Sequence, residues 1–154
     1  MGIEIERKYL VQDDSWKDGG GEGQLCRQGY LCSGEGKTVR VRIIGNAAFL
    51  TIKGPANGFS RSEFEYGIPV ADAESMLSLC GNLVEKTRYF ITHAGMLWEL
   101  DVFSGANDGL VMAEIELDSE TQPFDRPGWA GEEVTGDPRY YNAYLARHPF
   151  SAWV

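Results

Sequence analysis

Charged residues recur at every second position along seven short segments of this chain, and each run carries mainly one sign. Successive side chains of an extended strand alternate between its two faces, so residues two apart stand side by side. Glu4-Ile5-Glu6-Arg7-Lys8 therefore aligns Glu4, Glu6 and Lys8, and Val39-Arg40-Val41-Arg42 aligns Arg40 and Arg42. Lys53 follows in Leu50-Thr51-Ile52-Lys53, and Arg61-Ser62-Glu63-Phe64-Glu65 aligns Arg61, Glu63 and Glu65. Lys86 with Arg88, Glu99 with Asp101 and Glu114 with Glu116 complete the set. The intervening residues are mostly apolar, among them Ile5, Val39, Val41, Ile52, Leu100, Ile115 and Leu117.

One such strand would describe any half-exposed antiparallel sheet, with its charges in water. Seven strands with doublets of one sign are different. Like charges side by side on a sheet repel by a fraction of ~1 kcal/mol, and a face built for solubility intersperses its signs. Same-sign doublets make sense where each cluster faces a ligand of opposite charge. If the sheet closes with these faces inward, the acids suit Mg²⁺ or Mn²⁺, which prefer carboxylate oxygens. The arginine forks and lysine ammonium groups suit the oxygens of a polyanion. A ligand that is both polyanionic and metal-chelating fits both halves, and a triphosphate is one. Burying so many charges is costly, so the interior should be wet.

The elements that must position these residues are strands. Period-2 patterning predicts eight, near 2–10, 24–33, 38–44, 47–53, 61–69, 83–92, 96–104 and 110–118. Ala71 to Cys80 reads as a helix burying Met76, Leu77 and Leu79, and Glu132 and Glu133 fall in a loop. Asp137-Pro138 supplies a cap and first-turn proline for a second helix running to His148. The fold class is mainly β (α+β), and short, evenly spaced strands point to a barrel or sandwich.

With 154 residues, the chain is read as one domain spanning 1–154. A net charge of -9 argues against a nucleic-acid partner, which needs a basic surface. No apolar run approaches the ~20 residues of a membrane span, and the start lacks the layout of a secretion signal. Cys26, Cys32 and Cys80 show neither zinc nor CxxC spacing, so they read as reduced thiols of a cytoplasmic protein. Oligomeric state is left open, a homodimer being one option.

Glu4-x-Glu6-x-Lys8 resembles the ExExK signature of the triphosphate tunnel metalloenzymes, the CYTH superfamily. Val39-Arg40-Val41-Arg42, Thr51-Ile52-Lys53-Gly54, Ser60-Arg61-Ser62-Glu63-Phe64-Glu65, Glu85-Lys86-Thr87-Arg88-Tyr89, Glu99-Leu100-Asp101 and Glu114-Ile115-Glu116 follow in that family's order. Segments Arg27-Gln28-Gly29-Tyr30-Leu31 and Gly131-Glu132-Glu133-Val134-Thr135 are similar to its small bacterial members of inorganic triphosphatase type. The resemblance implies an eight-stranded antiparallel closed barrel, or tunnel, with flanking helices. It implies hydrolysis of tripolyphosphate to pyrophosphate and phosphate with two divalent ions. Glu4, Glu6, Glu63, Glu65, Asp101, Glu114 and Glu116 would form the metal side, and Lys8, Arg40, Arg42, Lys53, Lys86 and Arg88 the phosphate side. Arg61 would join the phosphate side or pair with its neighbouring acids, and Glu99 would serve as ligand or as partner to an arginine. Glu4, Glu6 and Lys8 would be the catalytic set.

Two alternatives accompany this reading. The same tunnel could take thiamine triphosphate, a nucleoside triphosphate or the 5′ end of RNA, or act as an adenylyl cyclase; or the chain is a non-catalytic polyphosphate- or nucleotide-binding module. The full acid complement favours catalysis. Gly34-Glu35-Gly36-Lys37-Thr38 ends like a phosphate-binding loop, but Leu31 stands where its first glycine belongs and a strand follows, so it reads as a hairpin. Tyr30 reads as packing or as a tunnel donor. His93, His148, Trp98, Trp129 and Trp153 fall outside the pattern and read as structural.

Overall fold

A computed structural model describes residues 2–34 and 36–153. The alternating segments form β1 (Ile3–Val11), β2 (Gln24–Gly34), β3 (Lys37–Ile44), β4 (Ala47–Lys53), β5 (Ser60–Ile68), β6 (Val84–His93), β7 (Met96–Ser104) and β8 (Val111–Glu116). All their pairings are antiparallel, in the order β5-β4-β3-β2-β6-β7-β8-β1. The ring closes because β1 also pairs with β5, Glu4 lying opposite Arg61 and Ile3 opposite Ser62. Closure leaves these eight strands without a free sheet edge. Gly34 pairs with Lys37, so β2 and β3 form a hairpin there; Glu35 within it lies outside the described residues.

A ninth strand, β9 (Ala130–Glu133), lies on β1 beside Tyr9 and Val11. The expectation of a loop around Glu132 and Glu133 is corrected here. Four residues with no β-branched side chain carry no strand signal of their own, and the pairing with distant β1 makes the strand.

The outward apolar residues are covered in two places. Tyr9, Trp98, Leu100, Ala113 and Ile115 are roofed by Trp16, Phe124 and Trp129. Helix α1 (Val70–Leu77) covers Val41, Ile43 and Ala48, burying Ala73 and Leu77. These are four apart and so share a helix face. Leu79, expected to be buried, lies past the helix end and is 77% exposed.

The C-terminal segment does a different job. Asp137 accepts from the Arg139 backbone N–H at 3.1 Å, as a cap should, but one 3₁₀ turn (Pro138–Tyr140) ends at Tyr141, whose ψ of 136° is extended. Helix α2 (Asn142–Arg147) then begins afresh. The single helix expected from Pro138 to His148 is thus broken in two. Leu145 and Ala146 pack on Val84, Phe103 and Met112, which face inward at one end of the ring, and the segment closes that end. Among the described residues no helix is long and apolar enough to cross a membrane.

Candidate active site

The inward faces of the strands enclose a cavity of about 200 Å³. It is lined by seven carboxylates (Glu4, Glu6, Glu63, Glu65, Glu99, Glu114, Glu116) and six bases (Lys8, Arg40, Arg42, Lys53, Arg61, Arg88). Tyr141, Asn142 and Ala143 form its end wall. Register places Glu6 opposite Glu116, Lys8 opposite Glu114, and Glu114 opposite Glu99. The acids concentrate on β1, β5 and β8, while β3 and β6 carry arginine.

Two of the residues singled out from sequence do not line this cavity. Asp101 and Lys86 are 2% and 0% exposed and lie one level deeper, toward α2. Lys86 Nζ stands 2.8 Å from Asp101 Oδ2 and donates to Asn142 Oδ1 at 3.0 Å. Arg88 clasps Asp101 from the other side and reaches Glu99 at 3.2 Å. Burial alone would raise the Asp101 carboxyl, but Lys86 and Arg88 outweigh it and hold it well below the carboxylate range. Burial pushes the Lys86 ammonium down to about 8 in spite of Asp101.

The remaining bases divide sharply. Lys8 meets Glu114 at 3.4 Å and donates to the Tyr140 carbonyl at 2.9 Å. Lys53 is held by Glu4 at 3.0 Å and Glu63 at 3.6 Å, and Arg40 by Glu65 at 3.4 Å. Arg40 Nε is buried with no partner among the described residues. Arg42 and Arg61 have no carboxylate partner among the described residues: Arg42 Nε donates to Gln28 Oε1, and Arg61 Nε to the Gly54 carbonyl. Burial, together with Arg40 and Arg88 nearby, pulls the Arg42 guanidinium below its ordinary value.

The acids divide likewise. Burial, with Glu114 and Glu4 beside it, pushes Glu6 well above the carboxylate range. Burial also raises Glu4, against the pull of Lys53, and Glu116. Glu114 alone of this cluster is held low, because Lys8, Arg88 and Lys86 outweigh its burial. Crowded carboxylates that resist ionising are what a hard divalent cation stabilises, since it replaces the missing positive charge. Among the described residues no three carboxylates form a ready-made metal cage.

Neutral residues escaped the charge pattern. Gln28, Thr51 and Asn142 each hold a charged side chain in place, and Tyr30 both packs on the inner apolar cluster and lines the cavity. Glu133 stays outside, bonded to Arg7 at 2.7 and 2.8 Å and to Thr135 at 2.6 Å. His93 and His148 do not line the cavity, and Trp98 and Trp129 pack edge to face at 5.5 Å.

Known proteins resemble this chain in sequence and in fold. The CYTH domain model matches residues 2–141. An inorganic triphosphatase of Acetivibrio thermocellus is 47% identical over 152 residues, 97% of each chain. One of Nitrosomonas europaea is 43% identical over 148 residues, 93% of this chain and 96% of its own. The crystal structure of an inorganic triphosphatase matches with a TM-score of 0.67 at 40% identity, over 93% of both chains.

Proposed function

The chain belongs to the CYTH domain family, and from that premise we propose that it hydrolyses inorganic tripolyphosphate to pyrophosphate and phosphate with divalent cations. One observation carries the reading: a cavity inside the closed strand ring pairs crowded, cation-seeking carboxylates with two arginines, Arg42 and Arg61, that lack acid partners among the described residues. A short anion rich in phosphate oxygens satisfies both.

Glu4, Glu6, Glu63, Glu65, Glu114 and Glu116 are the residues that would hold the metal. Two Mg²⁺ or Mn²⁺ ions, when bound, would neutralise phosphate charge and lower the pKa of an attacking water. The chain's own groups supply the rest. Arg40, Arg42 and Arg88 grip phosphate oxygens and stabilise the charge that builds on the transferred group and the leaving pyrophosphate. Lys8 and Lys53 add point charges, and Arg61 a fork near the closed end wall. Asp101 and Lys86 act as the clamp behind Arg88 rather than as ligands, because neither lines the cavity. Glu4, Glu6 and Lys8 remain the proposed catalytic set. The three cysteines are free, and we place the protein in the reducing cytoplasm.

³¹P NMR of tripolyphosphate incubated with the protein and Mg²⁺ or Mn²⁺ tests the substrate. Equal amounts of pyrophosphate and phosphate are expected, with slower turnover of ATP and thiamine triphosphate. Preference for either organic triphosphate would overturn the assignment of tripolyphosphate.

A further inference from the structure

Gln28 is fully buried on the inward face of β2, between the two arginine-bearing strands β3 and β6. It lies directly opposite Arg42 in the register. Its Oε1 accepts from Arg42 Nε at 2.8 Å and from Cys26 Sγ at 3.5 Å, while its Nε2 donates to Tyr30 Oη at 3.1 Å. Because a guanidinium only donates, the amide oxygen must be the atom that faces Arg42.

With Arg42 opposite it on β3 and the apolar Val84 opposite it on β6, this position faces a base and no acid, and electrostatics alone would favour a carboxylate here. Every base that lines the cavity, apart from Arg42 and Arg61, has a carboxylate within ion-pair distance among the described residues. Gln28 does something a glutamate cannot: it fixes the guanidinium in place and leaves its positive charge unspent. The terminal nitrogens of Arg42 have no hydrogen-bond partner among the described residues, and the side chain lines the cavity.

We propose that Gln28 is a positioning residue, whose neutral amide holds Arg42 ready for a phosphate group without neutralising it. The proposal rests on the triphosphatase reading and adds a residue and a physical requirement to it. Pre-fixing a long side chain spares its ordering on binding, so the amide acts on affinity more than on turnover. The same network steadies the Tyr30 hydroxyl at the cavity wall.

The test is calorimetric binding of tripolyphosphate to wild type, Gln28→Glu and Gln28→Met, with thermal melting and phosphate release on the same samples. Gln28→Glu keeps the length and an acceptor for Arg42 but adds a charge that cancels it. The expected result is a melting temperature at or above wild type, because an arginine without an acid partner gains one, with tripolyphosphate bound ~10-fold or more weakly. Stability and affinity moving in opposite directions is the signature; a merely structural glutamine predicts that they fall together. Wild-type affinity in Gln28→Glu, or a loss that tracks its melting temperature, would overturn the proposal. Should that variant not fold, Gln28→Met decides: a raised KM with kcat nearly unchanged supports positioning, and unchanged or jointly reduced constants refute it. If wild type binds tripolyphosphate without cleaving it, the binding comparison still decides the role of Gln28 while the hydrolase reading fails. If wild type does not bind it at all, both fall.

Discussion

Arg88 holds Asp101 with two parallel hydrogen bonds, Nε to Oδ1 at 2.8 Å and Nη2 to Oδ2 at 2.9 Å, while Lys86 stands 2.8 Å from the same carboxylate. One buried anion thus anchors two buried cations behind the cavity. The relationship separates two roles that Asp101 could play, metal ligand or clamp. Asp101→Asn should destabilise the fold by about 3–5 kcal/mol, since it strands two cations in the interior. Denaturant unfolding measures this. Wild-type stability with weakened Mn²⁺ binding would instead make Asp101 a ligand.

Lys86 gives the clearest pH signature. Its folded value of about 8 lies below the ~10.4 of an unfolded lysine, so between those values the unfolded chain binds more protons. Stability contributed through Lys86 should therefore rise, not fall, as pH climbs from about 8 toward ~10.4. NMR of labelled lysine side chains should show one ε-amino group titrating near 8, absent in Lys86→Met. Titration of every lysine together near the unperturbed value would contradict the buried pair.

Arg42 should show a trade of stability for affinity. Arg42 is half-buried and has no acid partner among the described residues, so Arg42→Met should leave the protein at least as stable as wild type. The same change removes charge-assisted bonds to phosphate and should raise KM for tripolyphosphate about 10- to 150-fold. Melting curves and steady-state kinetics on one preparation check both signs. A variant that loses stability while keeping its KM would show that Arg42 serves the fold alone.

Glu133 supplies the converse case. Its bonds to Arg7 and Thr135 lie outside the cavity, and the ion pair is more than a quarter exposed on each side. Glu133→Ala should cost about 1 kcal/mol of stability and leave the metal requirement of turnover unchanged. A shift in metal affinity would place Glu133 among the ligands.

Much of this architecture was legible because inward charge and outward hydrophobicity alternate along the strands, as in Val39-Arg40-Val41-Arg42. The register, which sets depth, was not. Arg88 and Lys86 look equivalent in sequence, yet one strand step places Arg88 at the cavity and Lys86 beneath it, opposite Phe103. Gln28 was hidden because an amide does not stand out in a pattern of charges. The break at Tyr141 was hidden because the capped helix start at Asp137 is real; only packing against the ring end interrupts the helix after its first turn. β9 was hidden because Ala130-Gly131-Glu132-Glu133 becomes a strand only through its distant partner.

Metal-dependent hydrolysis in the cavity is decided by phosphate release from tripolyphosphate, measured for wild type and Glu6→Gln with Mg²⁺ or Mn²⁺ and with EDTA. Glu6 sits between Glu4 and Glu114 with no basic partner in hydrogen-bond contact among the described residues, so its charge is available to a cation. Wild type should turn over only with metal, and EDTA should abolish its activity. Glu6→Gln, which keeps the shape but loses the charge, should be slower by at least ~100-fold. Turnover that survives EDTA, or a Glu6→Gln protein as fast as wild type, or a folded wild type that cleaves no tripolyphosphate, would contradict the assignment.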